Sequence, residues 1–408
     1  MKTADEVQPI APTAHLVELN ILRGVAILLV LGVHSPGHRG ESGRLRPLDG
    51  LIHQFGWTGV DLFFVLSGFL IGRLLFAEVQ RTQQLDIRRF LLRRMFKIWP
   101  GYYLFLLYVV VRMCFASGSL SEAARAWWPA FANIQNFIAV PRDQLWSLAV
   151  EEQFYLALPL LLLFLLRKQS DGNTRLQLIP WLSLGLSVVC LALRTVLVLK
   201  DPKLDVRAML SMDALFFGVT LAWASVFRPE VLPRIARHRG LVLSASLLLF
   251  LPALVQVRAL RVSIAVSCLF LGYGLLLVTF IHRLPQGGLV ERFKTTWLAR
   301  LVASIGTYSY SIYLWHRDTS NSICEFTRDL LRSLRMPGEL VWSAQLLTYV
   351  VVSILGGVIM GRLVEVPALR LRDRLFPSRA GVAKRASLPV PTAIDATVET
   401  PSQPRAAY

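Results

Sequence analysis

One apolar run carries two residues that could do chemistry together. Arg23 and His34 bracket RGVAILLVLGVH. A helix through that run sets them roughly 16 Å apart along its axis and within about 20° of one face. An imidazole titrates near neutral pH and is suited to take a proton from a hydroxyl. A guanidinium suits the anionic end of a ligand. A long ligand could therefore lie along this helix, anionic end at Arg23 and reactive end at His34. The plainer alternative makes Arg23 an interfacial anchor and His34 a satisfied helix-end histidine. Three carboxylates could orient such a histidine and stabilise its cation. Asp61 opens VDLFFVLSGFL, and Glu151 and Glu152 sit side by side in LWSLAVEEQFYL. Each could instead cap a helix or favour its N-terminal dipole. His316 closes YSYSIYLWH, and Glu365 lies in VEVP. Such a histidine could act as a general base or as a nucleophile.

The elements that must position these residues are membrane helices. The chain has 408 residues, 54% of them hydrophobic and 17% charged, against roughly 25% charged in a soluble domain. Apolar runs of about 20 residues recur, the length that crosses hydrocarbon as a helix. Ten spans are expected at roughly 19–35, 57–77, 98–116, 146–166, 178–199, 209–227, 241–257, 262–281, 301–316 and 343–364. The segment 117–145, with Trp127 and Trp128, reads as an interfacial loop or hairpin. If the N-terminus is cytoplasmic, the inner loops and the segment from Arg362 carry 25 Lys and Arg, and the outer loops 14. The positive-inside rule then places both termini in the cytoplasm. It also explains the net charge of +18 without nucleic acid, for which no motif is present. His34, Asp61, Glu151, Glu152 and His316 fall in the outer half. Arg23, Arg73, Arg93, Arg94 and Lys97 fall at or near the inner face. The four cysteines form no CxxC pair, and no metal site is expected.

Five patches, in order, resemble the acyltransferase-3 family of bacterial membrane acyltransferases. They are Arg23 with Ala26 and His34; Asp61, Phe63, Phe64, Ser67, Gly68 and Phe69; the basic run RRFLLRRMFKIWPGYY; WSLAVEEQFYL; and SYSIYLWH. VEVP is similar to the family's closing motif, and Lys97 stands where the pattern has arginine, which removes a bidentate phosphate fork. The resemblance covers 19–375 as one membrane domain; the charge count makes 1–18 and 376–408 cytoplasmic, and the Pro, Ala, Ser and Thr content of 376–408 reads as a disordered tail. The resemblance implies an inner-membrane enzyme moving an acyl group, acetyl first, from cytoplasmic acyl-CoA to a hydroxyl of a cell-surface or exported carbohydrate or lipid-linked glycan. No bound cofactor is expected. His34, Glu151, Glu152 and Asp61 would be catalytic; Arg23, Arg73, Arg93, Arg94, Lys97 and His316 would bind substrate. Some family members add an esterase-like domain after the last span; a short tail here implies direct transfer or a separate acceptor-side protein. A secreted small molecule such as a macrolide or lipo-oligosaccharide is the alternative acceptor. Outside the enzyme class, a proton-coupled transporter would also use His and Glu in spans, but no inverted repeat is apparent.

Overall fold

The computed structural model describes residues 17–36, 43–166, 175–282 and 289–377. Nearly all of the segment 1–18 and of the tail 376–408 lies outside them. Among the described residues the regular structure is entirely helical. The principal helices are α1 (Val17–His34), α2 (Arg46–Gly56), α3 (Gly59–Thr82), α4 (Ile87–Ser117), α5 (Leu120–Phe131), α6 (Trp146–Leu166) and α7 (Ile179–Lys200). They continue as α8 (Met212–Phe227), α9 (Arg239–Phe250), α10 (Val266–Ile281), α11 (Trp297–Thr307), α12 (Ser309–Ser333), α13 (Gly338–Met360) and α14 (Val366–Leu375).

Seven helices are long and apolar enough to cross a membrane, or eight if one bent pair counts as a span. Ten spans were expected from the apolar runs, and the difference has a geometric cause. The sixth run forms α8, which breaks at 104° into a short helix, Val231–Arg237. The seventh forms the short apolar stretch Arg239–Leu254, about 24 Å of helix against a hydrocarbon layer of about 30 Å. The ninth is divided at Tyr308 between α11 and α12. The expected hairpin at 117–145 contains α5, an amphipathic helix whose N-cap Ser119 accepts from the Glu122 amide. Trp127 is buried on one of its faces and Trp128 exposed on the other.

Lipid gives helices no hydrophobic reason to associate, so close backbone packing must hold them together. Gly68 and Gly72, one turn apart on α3, let α8 approach. A methyl group on Gly68 would run into the Leu215 carbonyl, and one on Gly218 into the Val65 carbonyl. The outward faces are apolar stripes at helical spacing: Leu156, Leu160 and Phe164 on α6, and Leu347, Val351, Leu355 and Ile359 on α13. Such exposed stripes suit a lipid environment. Among the described residues the larger buried core runs from α1 through α3, α4, α6, α8 and α10 to α12, and a smaller cluster joins Ile21 of α1 to Ala299 and Val302 of α11. α13 continues into α14 through a π-helical turn, Gly361–Glu365, that turns Glu365 into the interior.

Candidate active site

At the His34 end, α1 and α12 bring two imidazoles together. The His34 and His316 ring centroids are 5.0 Å apart, with the planes tilted by 51°. His34 Nδ1 lies 3.1 Å from the Val30 carbonyl. His316 is fully buried, with Nδ1 2.6 Å from the Tyr313 carbonyl. Arg317 faces His34, paired with Asp143 and donating to Gln144 Oε1 at 3.0 Å. The Tyr313 hydroxyl donates to the Gln144 carbonyl at 2.5 Å and contacts Ser147 Oγ at 2.7 Å. Asp318 receives Arg142 at 2.7 Å and Arg112 at 2.9 Å, and its carboxylate holds the Arg142 guanidinium above its ordinary range. A third histidine completes this end. His53 Nδ1 donates to the Asp49 carbonyl at 2.9 Å, with Asp49 Oδ1 at 3.3 Å, and Nε2 lies 3.4 Å from the Ser35 carbonyl. Asp49 is buried and also accepts from the Trp342 indole at 3.1 Å.

The three carboxylates chosen from the sequence have partners other than His34. Asp61 pairs with Arg207 at 3.0 Å. That guanidinium also donates to the Trp57 carbonyl at 2.9 Å and lies over the Trp57 and Trp146 rings. Glu151 accepts from Ser67 at 2.6 Å and Tyr155 at 3.3 Å. Glu152 accepts from the Trp99 indole at 3.3 Å. The charged groups that face His34 are Arg317, Asp143 and His53.

The arginines divide in two. Arg23 and Arg94 both face Glu151. Arg94 lies over the Phe90 and Tyr155 rings, and Arg73 over Phe69. Among the described residues Arg23, Arg73 and Arg94 make no ion pair at contact distance. Arg93 and Lys97 do. Arg93 donates to the Phe376 carbonyl and pairs with Asp373 at 3.1 Å. Lys97 pairs with Glu365 at 3.0 Å, and Ser311 donates to the same carboxylate at 2.8 Å. Both clamp α4 to the stretch from Glu365 to Phe376. Sequence reasoning missed His53 and Asp49, whose four-residue spacing sets them on one helix face. It also missed Arg317, beside His316, and Asp143, for which no local signal exists. No cluster of three or more metal-ligating side chains occurs among the described residues.

The arrangement places an imidazole at one end of α1 and, toward the other, guanidinium groups with no ion pair at contact distance among the described residues, a geometry that could take a long anionic donor and a hydroxyl acceptor. The model of the acyltransferase-3 family, described as an acyltransferase domain, matches residues 16–362. The peptidoglycan O-acetyltransferase OatA of Listeria monocytogenes is 29% identical over 288 residues, covering 64% of this chain and 44% of that protein. The O-acetyltransferase OatA of Staphylococcus aureus is 38% identical over 151 residues, 33% of this chain and 25% of that protein. The chain thus spans less than half the length of these curated relatives. No solved structure matches it. With the five motif patches lying inside a family match that runs over most of the chain, this multi-pass membrane protein belongs to the acyltransferase-3 family.

Proposed function

We propose that this protein is an O-acetyltransferase of a bacterial inner membrane, moving acetyl from cytoplasmic acetyl-CoA to a hydroxyl of a cell-envelope glycan, with peptidoglycan the first acceptor to test. One observation carries the reading. α1 holds a histidine at one end and, toward the other, Arg23 beside Arg94, both without an ion-pair partner among the described residues. The name of the Listeria relative supports the acceptor class. The excess of Lys and Arg in alternate loops supports the orientation, Arg23 inward and His34 outward.

In this reading Arg23, Arg73 and Arg94 attract the phosphates of the donor, and Glu151 sets the position of Arg23 and Arg94 between them. The thioester reaches the His34 end through the bundle. His34 Nδ1–H donates to the Val30 carbonyl, which leaves Nε2 as the base. The acceptor oxygen attacks the thioester carbonyl as its proton passes to Nε2. The C–S bond breaks, and the proton then goes to the CoA sulfur. Arg93 and Lys97 stay with their carboxylates and brace α4. Asp61, held by Arg207, secures the start of α3.

The test uses sealed membrane vesicles of known orientation. Acetyl-CoA supplied only on the cytoplasmic face releases CoA and places base-labile acetate on glycan at the opposite face. Acetate found only on a small molecule moves the acceptor to the alternative class. Activity that needs donor and acceptor on one side removes the transmembrane route. Absence of CoA release removes the acetyltransferase reading.

A further inference from the structure

Among the described residues, one polar atom of His316 is left without a partner. Its ring is fully buried, and Nδ1 faces the Tyr313 carbonyl at 2.6 Å. A carbonyl only accepts, so Nδ1 carries the hydrogen and Nε2 keeps a lone pair. That Nε2 has no hydrogen-bond partner among the described residues, which is costly in a buried site. The neighbouring ring is His34, at a centroid distance of 5.0 Å. His34 has the same wiring, with Nδ1 on the Val30 carbonyl, so its neutral ring also presents a bare Nε2. The other charged or titratable groups facing the two rings among the described residues are Arg317, Asp143, His53 and Tyr313, whose ring centroid lies 6.0 Å from that of His316. Arg317 is held by Asp143 and Gln144, and His53 by Asp49.

We infer that His316 is a positioning residue that acts through His34, accepting a hydrogen bond at Nε2 from the His34 imidazolium. The inference rests on the acetyl-transfer reading, in which His34 holds the acceptor's proton between O–H cleavage and protonation of the CoA sulfur. In that interval His316 gains a donor that the described residues do not supply. A contact made only then stabilises the transition state without tightening donor binding. The surrounding structure holds the ring for this purpose. Ser320 and Ser353 donate to the His316 carbonyl at 2.5 and 3.2 Å, and Tyr313 is anchored on Gln144 and Ser147. The hydrogen that His316 accepts is the one His34 Nε2 took from the acceptor; it stays on His34 until the C–S bond breaks and then passes to the CoA sulfur, so no proton enters or leaves His316.

Three variants test this in membrane vesicles from cells that make the full chain, given acetyl-CoA and assayed for free CoA and for base-labile acetate on envelope material. His316→Gln reaches the Nε2 position with an acceptor oxygen. His316→Asn reaches only the Nδ1 position. His316→Phe fills the space with neither. We expect the Asn and Phe variants to lose about 10- to 100-fold in kcat, the scale of a hydrogen bond to a charged group. Their KM for acetyl-CoA should stay within about twofold, as for an interaction absent from the ground state. The Gln variant should recover at least about fivefold over Asn. If the Phe variant fails to insert, the Gln–Asn comparison decides. Wild-type kcat in the Asn variant, Gln no better than Asn at equal thermal stability, or a raised KM in place of a lowered kcat would each overturn the inference. A parent chain that releases no CoA overturns the acetyl-transfer reading instead, whatever the order among the variants.

Discussion

Two parts of this bundle bury arginine, and they do so in opposite ways. Between α7, α8 and α10, Arg194 and Asp213 are both completely buried and bidentate, at 2.7 and 3.1 Å. Arg194 also donates to the Leu210 carbonyl at 2.7 Å and to Ser267 at 2.9 Å. Among α1, α3, α4 and α6, the half-buried Arg23, Arg73 and Arg94 have aromatic faces or a more distant Glu151 instead of an ion pair. Charge buried away from water needs a partner. The first region has its partner within the chain. The second has no ion-pair partner at contact distance among the described residues, and in the proposed reading the donor supplies it. Buried charge alone therefore does not mark a site in a membrane protein; its unfilled valence does.

Four experiments sharpen or break this contrast. The largest effect belongs to His34. His34→Ala should lower the acetyl-transfer rate by about 10²–10⁴, the usual cost of a lost general base, while insertion and melting in detergent stay at the parental level. Near-parental turnover would take His34 out of the mechanism. Next is the scaffold. Arg194→Leu should destabilise the protein by about 3–5 kcal/mol, because Asp213 would stay buried without its partner. The double substitution Arg194→Leu/Asp213→Leu should recover most of that loss, as read by denaturant or thermal unfolding in detergent. Equal stability of Arg194→Leu and the parent would show that the pair is dispensable.

The third experiment concerns the unpaired group. Arg23→Ala should raise the KM for acetyl-CoA by about tenfold or more, the scale of one charge-assisted hydrogen bond, and leave kcat at saturation little changed. Arg94→Ala should behave alike. A loss of stability with unchanged KM would move both arginines into the scaffold class. The smallest effect should come from Lys97, which Glu365 already engages. Lys97→Met should cost about 1–3 kcal/mol by leaving Glu365 without a cation, with the KM for acetyl-CoA within about twofold. A large KM effect there would break the division between the two kinds of cation.

Much of this was legible in the sequence. The Arg23–His34 alignment follows from helix geometry alone, since the rise and turn per residue are fixed. Membrane class follows from the apolar runs, and the family from motif order. The α3–α8 contact was not read from the sequence, although its local sign was there in glycines one turn apart at Gly68 and Gly72. Where the ten expected spans and the seven or eight long apolar helices differ, the reason is that an apolar run does not say whether its helix continues, as through Arg258–Ile281, or bends, as at the end of α8.

The partners were not legible. Asp61 belongs with Arg207, Lys97 with Glu365 and Arg142 with Asp318, pairs separated by 146, 268 and 176 residues. A step of one residue turns a helical side chain by about 100°. Packing rotation therefore decides which carboxylate meets which cation, and nothing local in the chain encodes it. The same holds for His34 and His316: each lies at the end of an apolar motif readable by itself, but only the crossing of α1 and α12 sets their rings 5.0 Å apart.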